Sequence, residues 1–442
     1  MTNSSENSRA SAGRELLLVG GAGPSPLSID ACLRAVTQAQ DLGLRVTVTV
    51  AAADTPEGRA VAEVADVVVE TDLTDTAQRE RFLAELGDFD GLVFGVRDAM
   101  QLAVAEVAAA LGVPGNPVDA VRRAVYKDLC RSALSDAGLR QPEVLRCSSA
   151  GEALLFLERT EGPWIVKPRN AAGCVGVTRV TGSAEIPGAL AALPDPAGEF
   201  LVETYVDGAE FSVEGCFLGG EPVVLACTAK RTVGDGRFGE VGHVIPAGLP
   251  LDDEARLAAE VTRALKALGL RYGVFHVEGW IDAGEVVLGE VHTRVGGGWI
   301  HSLVEYVRPG LALFGAVYAD ALGLPAPQPA DLRRTAAAAF FTLRPGVLAA
   351  VDGWAQVLAD PRVQNAELTV GPGDRITPYI TSLDRVGAVV VGLPEGSDES
   401  AEDVARRLCR SVVFTMADGS RNDGLGDLLP VGPSAVKVTG SA

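Results

Sequence analysis

The chain has 442 residues, 47% of them apolar, and a formal charge of −20 from 38 basic and 58 acidic side chains. That length accommodates two to four domains with cores of their own. That charge excludes a broad phosphate-neutralising surface, so the chain is not read as a nucleic-acid binder, and any anionic substrate must be held by local groups. The seven cysteines form no C-x-x-C pair and read as reduced, packed thiols. No apolar run approaches the ~20 residues of a membrane span. Residues 1–13 are polar and serine-rich, without the basic-then-apolar order of a signal peptide. The expectation is a cytoplasmic protein with a loose N-terminal tail, acting on small molecules.

In chain order, Glu15–Val19 is a short apolar strand that runs into the turn Gly20-Gly21-Ala22-Gly23-Pro24, and Ile29, Cys32, Leu33 and Val36 follow at helical spacing. Gly43 stops that helix and Arg45–Val50 is the next strand, a β-α-β unit that predicts a parallel sheet. Val67–Val69, Gly91–Phe94 and a helix over Met100–Leu111 continue the alternation to a boundary near Gly112–Pro117. The glycine turn does not fit G-x-G-x-x-G and is read as plain turn geometry. A helix is expected over Asp119–Ala137 with Gly138 as its left-handed cap. Strands are expected at Trp164–Pro168, Val175–Val180, Phe200–Glu203 and Phe211–Phe217, then a helix at Asp252–Leu268 and a hairpin of Tyr272–Asp282 with Val286–Thr293. A proline-rich joint, Leu324–Ala330, precedes short strands and one helix, Ala401–Thr415, in a unit running from Thr335 to about Val431.

Three segments carry chemistry. In Ile165–Val177, Lys167 ends an apolar strand and the small-residue loop Arg169–Gly176 follows. Small side chains let backbone N–H groups approach an anion, and a lysine at the strand end adds a charge. An ordinary hairpin loop with a solvated lysine reads equally well. In the second segment, Gly273–Thr293, alternation puts His276, Glu278 and Trp280 on one face and Leu288, Glu290, His292 and Arg294 on another. With Ala283-Gly284-Glu285 as a three-residue loop, Asp282 pairs with Val286, Glu278 lies opposite Glu290 and His276 opposite His292. A two-residue loop would put the glutamates on opposite faces. Facing carboxylates call for a cation: a hard divalent ion shared with nucleotide phosphates, or a histidine-ligated transition metal, stand against an unused acidic pair. In the third segment Phe200–Phe211, a strand turns at Asp207-Gly208 and returns; by itself this is a hairpin.

Taken in order, these segments resemble the ATP-grasp superfamily over about Gly13 to Val431. The matching string is Lys127 before Ala137-Gly138 and Pro142, Lys167-Pro168 with its loop, Glu203-x-Tyr-Val-x-Gly-x-Glu210, then Glu278 and Glu290. The tract Gly239–Ala247 and the spacing Glu290-x-x-x-Arg294 are similar to the L-amino-acid ligase, dipeptide-forming branch. The resemblance implies an N-terminal Rossmann-like parallel sheet, a core of two ATP-grasp subdomains and a C-terminal β-rich domain that helps close the site. It divides the chain into a tail at 1–13, a Rossmann-like domain at 14–115, a small subdomain at 116–198, a large subdomain with the metal site at 199–330, the β-rich domain at 331–431, and a tail at 432–442.

By the same resemblance, Lys127, Lys167 and Gly173 bind ATP phosphates. Glu203 and the backbone of Thr204, Tyr205 and Val206 face the adenine, and Glu210 the ribose. Glu278 and Glu290 hold Mg²⁺, with Mn²⁺ as a substitute, and Arg294 stabilises an acyl phosphate beside Lys167. Glu240, His243, Arg294 and Gly297 meet the substrates, with a buried structural role for His243 left open. His292 stands where the family has a metal-binding asparagine. The Lys167 loop and the segment Gly234, Gly236 and Gly239 are candidate lids, and Cys174 should be shielded from alkylation by ATP. The implied activity joins a carboxylate to an amine at the cost of ATP, giving a dipeptide or specialised-metabolite amide, in an enzyme that is a dimer in this branch. Biotin-carboxylase-like carboxylation and nucleotide binding without turnover are the alternatives.

Overall fold

The computed structural model describes residues 14–233, 238–325, 330–425 and 430–431. The expected tails at 1–13 and 432–442, Gly234 and Gly236 of the candidate lid, and 326–329 of the proline-rich joint lie outside the described residues.

Strands β1 (Glu15–Leu18), β2 (Arg45–Val50), β3 (Val67–Glu70) and β4 (Gly91–Phe94) form a parallel sheet in the order β3-β2-β1-β4. Its strands are nearly continuous apolar runs, as expected of a sheet covered on both faces. The helix Pro26–Asp41 covers one face through Ala31, Cys32, Ala35 and Val36, all buried. Phe94 meets the rings of Phe314 and Tyr318 edge-on at 5.8 and 5.2 Å, tying this sheet to the helix Leu313–Ala321.

A smaller antiparallel sheet follows in the order β5-β8-β6-β7, from β5 (Val144–Cys147), β6 (Trp164–Pro168), β7 (Thr178–Val180) and β8 (Phe200–Thr204). The strand expected from Val175 begins only at Thr178, because Gly173, Cys174 and Gly176 take positive φ and the chain turns there. The helix expected over Asp119–Ala137 is two helices, Val118–Val125 and Lys127–Asp136. Tyr126 between them is extended at φ −89° and ψ 111°. The break is held from the Lys167 loop: Lys127 N donates to the Arg169 carbonyl at 3.0 Å, and the Arg169 guanidinium lies over the Tyr126 ring at 5.0 Å. Lys127 is thereby the first residue of the second helix.

The large sheet runs β13-β12-β9-β10-β11-β14-β18-β16. Its strands are β9 (Ala209–Leu218), β10 (Glu221–Val233), β11 (Glu240–Ile245), β12 (Val274–Asp282), β13 (Glu285–His292), β14 (Thr335–Phe340), β16 (Val363–Leu368) and β18 (Gly387–Leu393). Three strands of the C-terminal region thus extend it beyond β11, through pairs such as His243 with Ala338. A further sheet, β17-β15-β19-β20, is built from β15 (Gly346–Asp352), β17 (Arg375–Ile376), β19 (Val413–Met416) and β20 (Arg421–Asp423). The single C-terminal helix expected at Ala401–Thr415 ends at Ser411, where β19 takes over, and a second helix, Trp354–Ala359, is present.

Candidate active site

The hairpin that carries Glu278 and Glu290 departs from its expected register. Asp282 pairs with Glu285, not Val286, so the loop is the two residues Ala283 and Gly284, at φ 50° and 84°. Positive φ at both positions matches the right-handed strand twist, which is why two-residue hairpin turns favour it. This loop alone would place the glutamates on opposite faces. A β-bulge between Val277 and Gly279 restores the pairing: Val277 meets Val291 and Gly279 meets Leu288, so Glu278 stands opposite both Gly289 and Glu290. Beyond the bulge His276 pairs with His292, and their rings stack at 5.7 Å.

The same face continues across the neighbouring strands. Glu214, Ser212 and Glu210 on β9 register with His276, Glu278 and Trp280. Thr228 on β10 registers with Ser212, which by alternation carries Lys230 onto this face. Lys230 is 2% exposed. Its Nζ lies 3.0 Å from Glu210, 2.7 Å from Glu240 and 2.5 Å from Glu278. Burial would lower its pKa, but the three carboxylates outweigh that and hold it protonated, well above the ordinary lysine value. One ammonium does not neutralise three half-buried acids. Burial, with Glu278 and Glu240 adding and Lys230 opposing, pushes Glu210 up to about 7. Glu278 and Glu240 go the other way: burial is overcome chiefly by Lys230 in both, and they stay well below the usual carboxylate range.

Glu290 is met by Lys127 Nζ at 3.2 Å, and that ammonium also donates to the Ala171 carbonyl at 2.8 Å. Lys127 and His292 overcome burial and hold Glu290 well below its ordinary value. The ligand-capable atoms of Glu278, Glu290 and His292 all lie within 4.8 Å of one another. His276 is spoken for on both nitrogens, by Glu214 at 2.9 Å and Glu278 at 3.1 Å. Against the effect of burial, these acids raise it to about 9, so near neutral pH it is an imidazolium with no lone pair for a metal. A site ligated by both His276 and His292 would have to displace one of the two carboxylates that hold His276. His292 alone has its Nδ1 at 3.1 Å from Asp98 and its Nε2 at 3.4 Å from Glu290.

Lys167 and Glu203 are buried together at 2.7 Å, and Arg131 Nε meets the same carboxylate at 3.0 Å. Arg131 also donates to the Leu288 carbonyl, which couples the small sheet to the hairpin that carries Glu278 and Glu290. Burial would raise Glu203, yet Arg131 and Lys167 hold it down to about 2; burial lowers Lys167 in turn. The backbone N–H groups of Thr204 and Tyr205 are engaged by the carbonyls of Glu143 and Pro163. Arg294 Nε pairs with Asp98 at 2.9 Å.

Lys167, Gly173, Glu203, Thr204, Tyr205, Val206, Glu210, Glu240, Glu278, Glu290, Arg294 and Gly297 line one cavity of about 1110 Å³. Lys127 reaches it through Glu290. His243, expected beside the substrates, stands behind the wall: it is wholly buried, its Nδ1 is 2.9 Å from the Gly298 carbonyl, and a Cβ on Gly298 would strike its ring. The Lys167 loop is seated against the C-terminal region, with the Gly173 carbonyl accepting from Ser382 N at 3.2 Å, and against the start of β11, with Cys174 Sγ at 3.3 Å from the Phe238 carbonyl. Sequence reasoning missed Lys230, Arg131, Asp98, Glu214 and Arg385, the last joined to Glu240 at 2.6 Å. The available signal for Lys230 was a lone lysine at an inward position of the apolar strand Leu225–Val233.

With this geometry in place, comparison with known proteins defines the class. Residues 160–302 match the ATP-grasp domain family, so this part of the chain is an ATP-grasp domain. Residues 327–417 match L-amino acid ligase C-terminal domain 2. The uncharacterized protein y4rH of Sinorhizobium fredii is 27% identical over 374 residues, covering 79% of this chain and 74% of that one. A D-alanine–D-alanine ligase of Marinobacter nauticus is 30% identical over 208 residues, 44% of this chain and 61% of that enzyme. The crystal structure of an L-amino acid ligase from Bacillus licheniformis has the same fold, with a TM-score of 0.75 at 24% identity, covering 92% of this chain and 99% of that one.

Proposed function

We propose that the protein is an ATP-dependent ligase that activates a carboxylate, in an amino acid or similar acid, as an acyl phosphate and joins it to an amine, releasing ADP and phosphate. The observation that carries this reading is the convergence of Glu278, Glu290 and His292 in a cavity that also holds Lys167 and Arg294. ATP would lie between the small sheet and the large one, its base toward Glu203–Val206, its ribose toward Glu210 and its phosphates toward Lys127 and Lys167.

The donor set fits a hard divalent cation such as Mg²⁺: two carboxylates well below their ordinary pKa and an imidazole nitrogen, with phosphate oxygens and water able to complete the shell. If His292 donates Nδ1–H to Asp98, its Nε2 lone pair faces Glu290 and the ion. Bound there, the cation would neutralise charge on the transferring phosphoryl group. The chain's own residues do the rest. Lys127 and Lys167 exchange their carboxylate partners, in part, for phosphate oxygens. The substrate carboxylate attacks the γ-phosphorus, the bond to the β,γ-bridging oxygen breaks and ADP leaves, and Arg294, oriented by Asp98, stabilises the acyl phosphate. The amine then attacks the acyl carbon, phosphate leaves, and the ammonium proton is lost. The Lys167 loop against Ser382 would keep water from the acyl phosphate.

The test is ADP release over a panel of acids and amines, with hydroxylamine as a trap. Hydroxamate formation with an acid alone supports the acyl phosphate. Turnover that depends on bicarbonate would point to carboxylation instead, and no ADP with any acid would leave nucleotide binding alone.

A further inference from the structure

The glycine turn after β1 has no part in the chemistry above, yet it lines the cavity, and beside it stands a cation that no acid among the described residues neutralises. Gly23, Pro24, Ser25 and Ser28 line the cavity together with Arg97, which follows β4. β1 and β4 are neighbours in the parallel sheet, so both segments leave its carboxyl edge side by side, where open α/β sheets bind ligands. The half-buried Arg97 lies across the turn. Its NH1 donates to the Gly20 carbonyl at 2.9 Å, and a Cβ added to Gly23 would sit 3.5 Å from its Nε. A guanidinium has five N–H donors, and that bond uses one.

Among the described residues no carboxylate stands within ion-pair distance of Arg97. Its neighbours in the cavity differ: Asp98 is joined to Arg294, Arg385 to Glu240, and Lys230 to three glutamates. In a chain of charge −20 an unpaired cavity arginine is conspicuous. The helix that begins beside it, Pro26–Asp41, has no side-chain cap on its first turn and no acidic residue there, so that turn adds no negative charge.

Resting on the ligase reading, we infer that Arg97 is a specificity-determining residue that pairs with a substrate carboxylate other than the one being phosphorylated. Such a group is either a second carboxylate on the acid or the α-carboxylate of an amino acid serving as amine. Phosphate would satisfy the same guanidinium, and the substrate panel separates these sources.

The experiment compares matched pairs: a dicarboxylic amino acid against its side-chain amide as acid, an amino acid against its α-amide as amine, and a phosphorylated amino acid against its parent. Both kcat/KM for ADP release and ligand-induced thermal shift are read for the wild type and for Arg97→Lys, Arg97→Gln and Arg97→Glu. In the wild type one anion-bearing member should exceed its neutral match by roughly 10- to 100-fold. Arg97→Gln should bring that ratio toward one, Arg97→Glu should invert it, and Arg97→Lys should keep more of it than Arg97→Gln. A wild-type ratio near one in every pair overturns the inference without any variant. So does a ratio unmoved in Arg97→Gln and Arg97→Glu proteins that melt like the wild type. If the substituted proteins fail to fold, the wild-type ratio and Arg97→Lys decide. Absence of ADP with all pairs counts against the ligase reading; a carboxylate-dependent thermal shift lost in Arg97→Gln would still support the Arg97 site, and no such shift in the wild type would end it.

Discussion

Glu278 on β12 faces Glu290 on β13 because a β-bulge lies between the two-residue turn and the pair, setting Glu278 against both Gly289 and Glu290. The turn alone would have sent the two side chains to opposite faces of the sheet. An acidic pair held this way, with each carboxylate already matched to a lysine, suits a site that exchanges those lysines for a cation and phosphates. Replacing Glu290 by Gln keeps the shape and removes a charge. Turnover should fall by about 100-fold or more, while the circular dichroism melt stays close to that of the wild type. Full activity in this variant would remove Glu290 from the metal site.

Lys230 makes a prediction of the opposite kind, on stability. Its ammonium is the shared partner of Glu210, Glu240 and Glu278. Lys230→Met leaves those acids facing one another, and a broken buried pair costs roughly 3–5 kcal/mol. Urea unfolding should show that loss, and adding Glu240→Gln should recover part of it. If Lys230→Met is as stable as the wild type, the cluster is better hydrated than its burial implies.

His276 sets a pH dependence. Its folded pKa of about 9 lies above the ordinary 6.5, because Glu214 and Glu278 outweigh burial. A raised pKa means the folded state binds the proton more tightly. The contribution is therefore fully present below pH 6.5 and is lost as pH rises through about 9. Unliganded protein should lose on the order of 1–3 kcal/mol across that window, and His276→Gln should flatten the curve. A wild-type stability that is level from pH 6.5 to 9 would contradict it.

Cys174 looked from sequence like a reporter for the phosphate loop, with ATP shielding it from alkylation. Its surroundings argue that it is slow to react in any state. Burial, and then Glu240, Glu210 and Glu278, push the thiol well above its ordinary pKa. Thiolate is the reacting form, so iodoacetamide at pH 7.5 should modify Cys174 at least ~10-fold more slowly in the folded protein than in urea. Mass spectrometry of the digested protein would show rapid labelling if this is wrong.

What was legible in the sequence was periodicity. Alternation correctly grouped His276, Glu278 and Trp280, and the facing of His276 and His292 came out as expected. The bulge was not legible, since a one-residue offset leaves composition and alternation on each side intact. The Tyr126 break was hidden for a related reason: nothing local stops the helix, and Arg169, more than forty positions away, supplies both the carbonyl and the stacked guanidinium. Lys230, Arg131 and Asp98 were missed because their importance comes from partners on other strands. Lys230 sits in an apolar strand, Arg131 in an ordinary amphipathic helix, and Asp98 in a short 3₁₀ helix, and only the fold brings Lys230 and Arg131 to the glutamates and Asp98 to His292 and Arg294.

Asp98 offers the sharpest division between two roles for its neighbours. Its Oδ1 accepts from Arg294 at 2.9 Å and lies 3.1 Å from His292 Nδ1, so one carboxylate orients both the Arg294 guanidinium and the imidazole beside Glu290. Arg294 and His292 overcome burial and keep it ionised, far below the usual carboxylate range. Asp98→Asn removes the charge with little change of shape. If His292 binds the cation, losing its carboxylate partner should weaken the apparent Mg²⁺ affinity by roughly 10- to 100-fold, together with a rise in KM for the acid through the loosened Arg294. If His292 is only a packed neighbour, the KM effect should appear with Mg²⁺ dependence unchanged. Titrating Mg²⁺ at saturating ATP and acid separates the outcomes, and His292→Asn in the same assay checks the assignment from the ligand side: it should retain most of the Mg²⁺ affinity if an oxygen donor serves as well, and lose it if the imidazole is required.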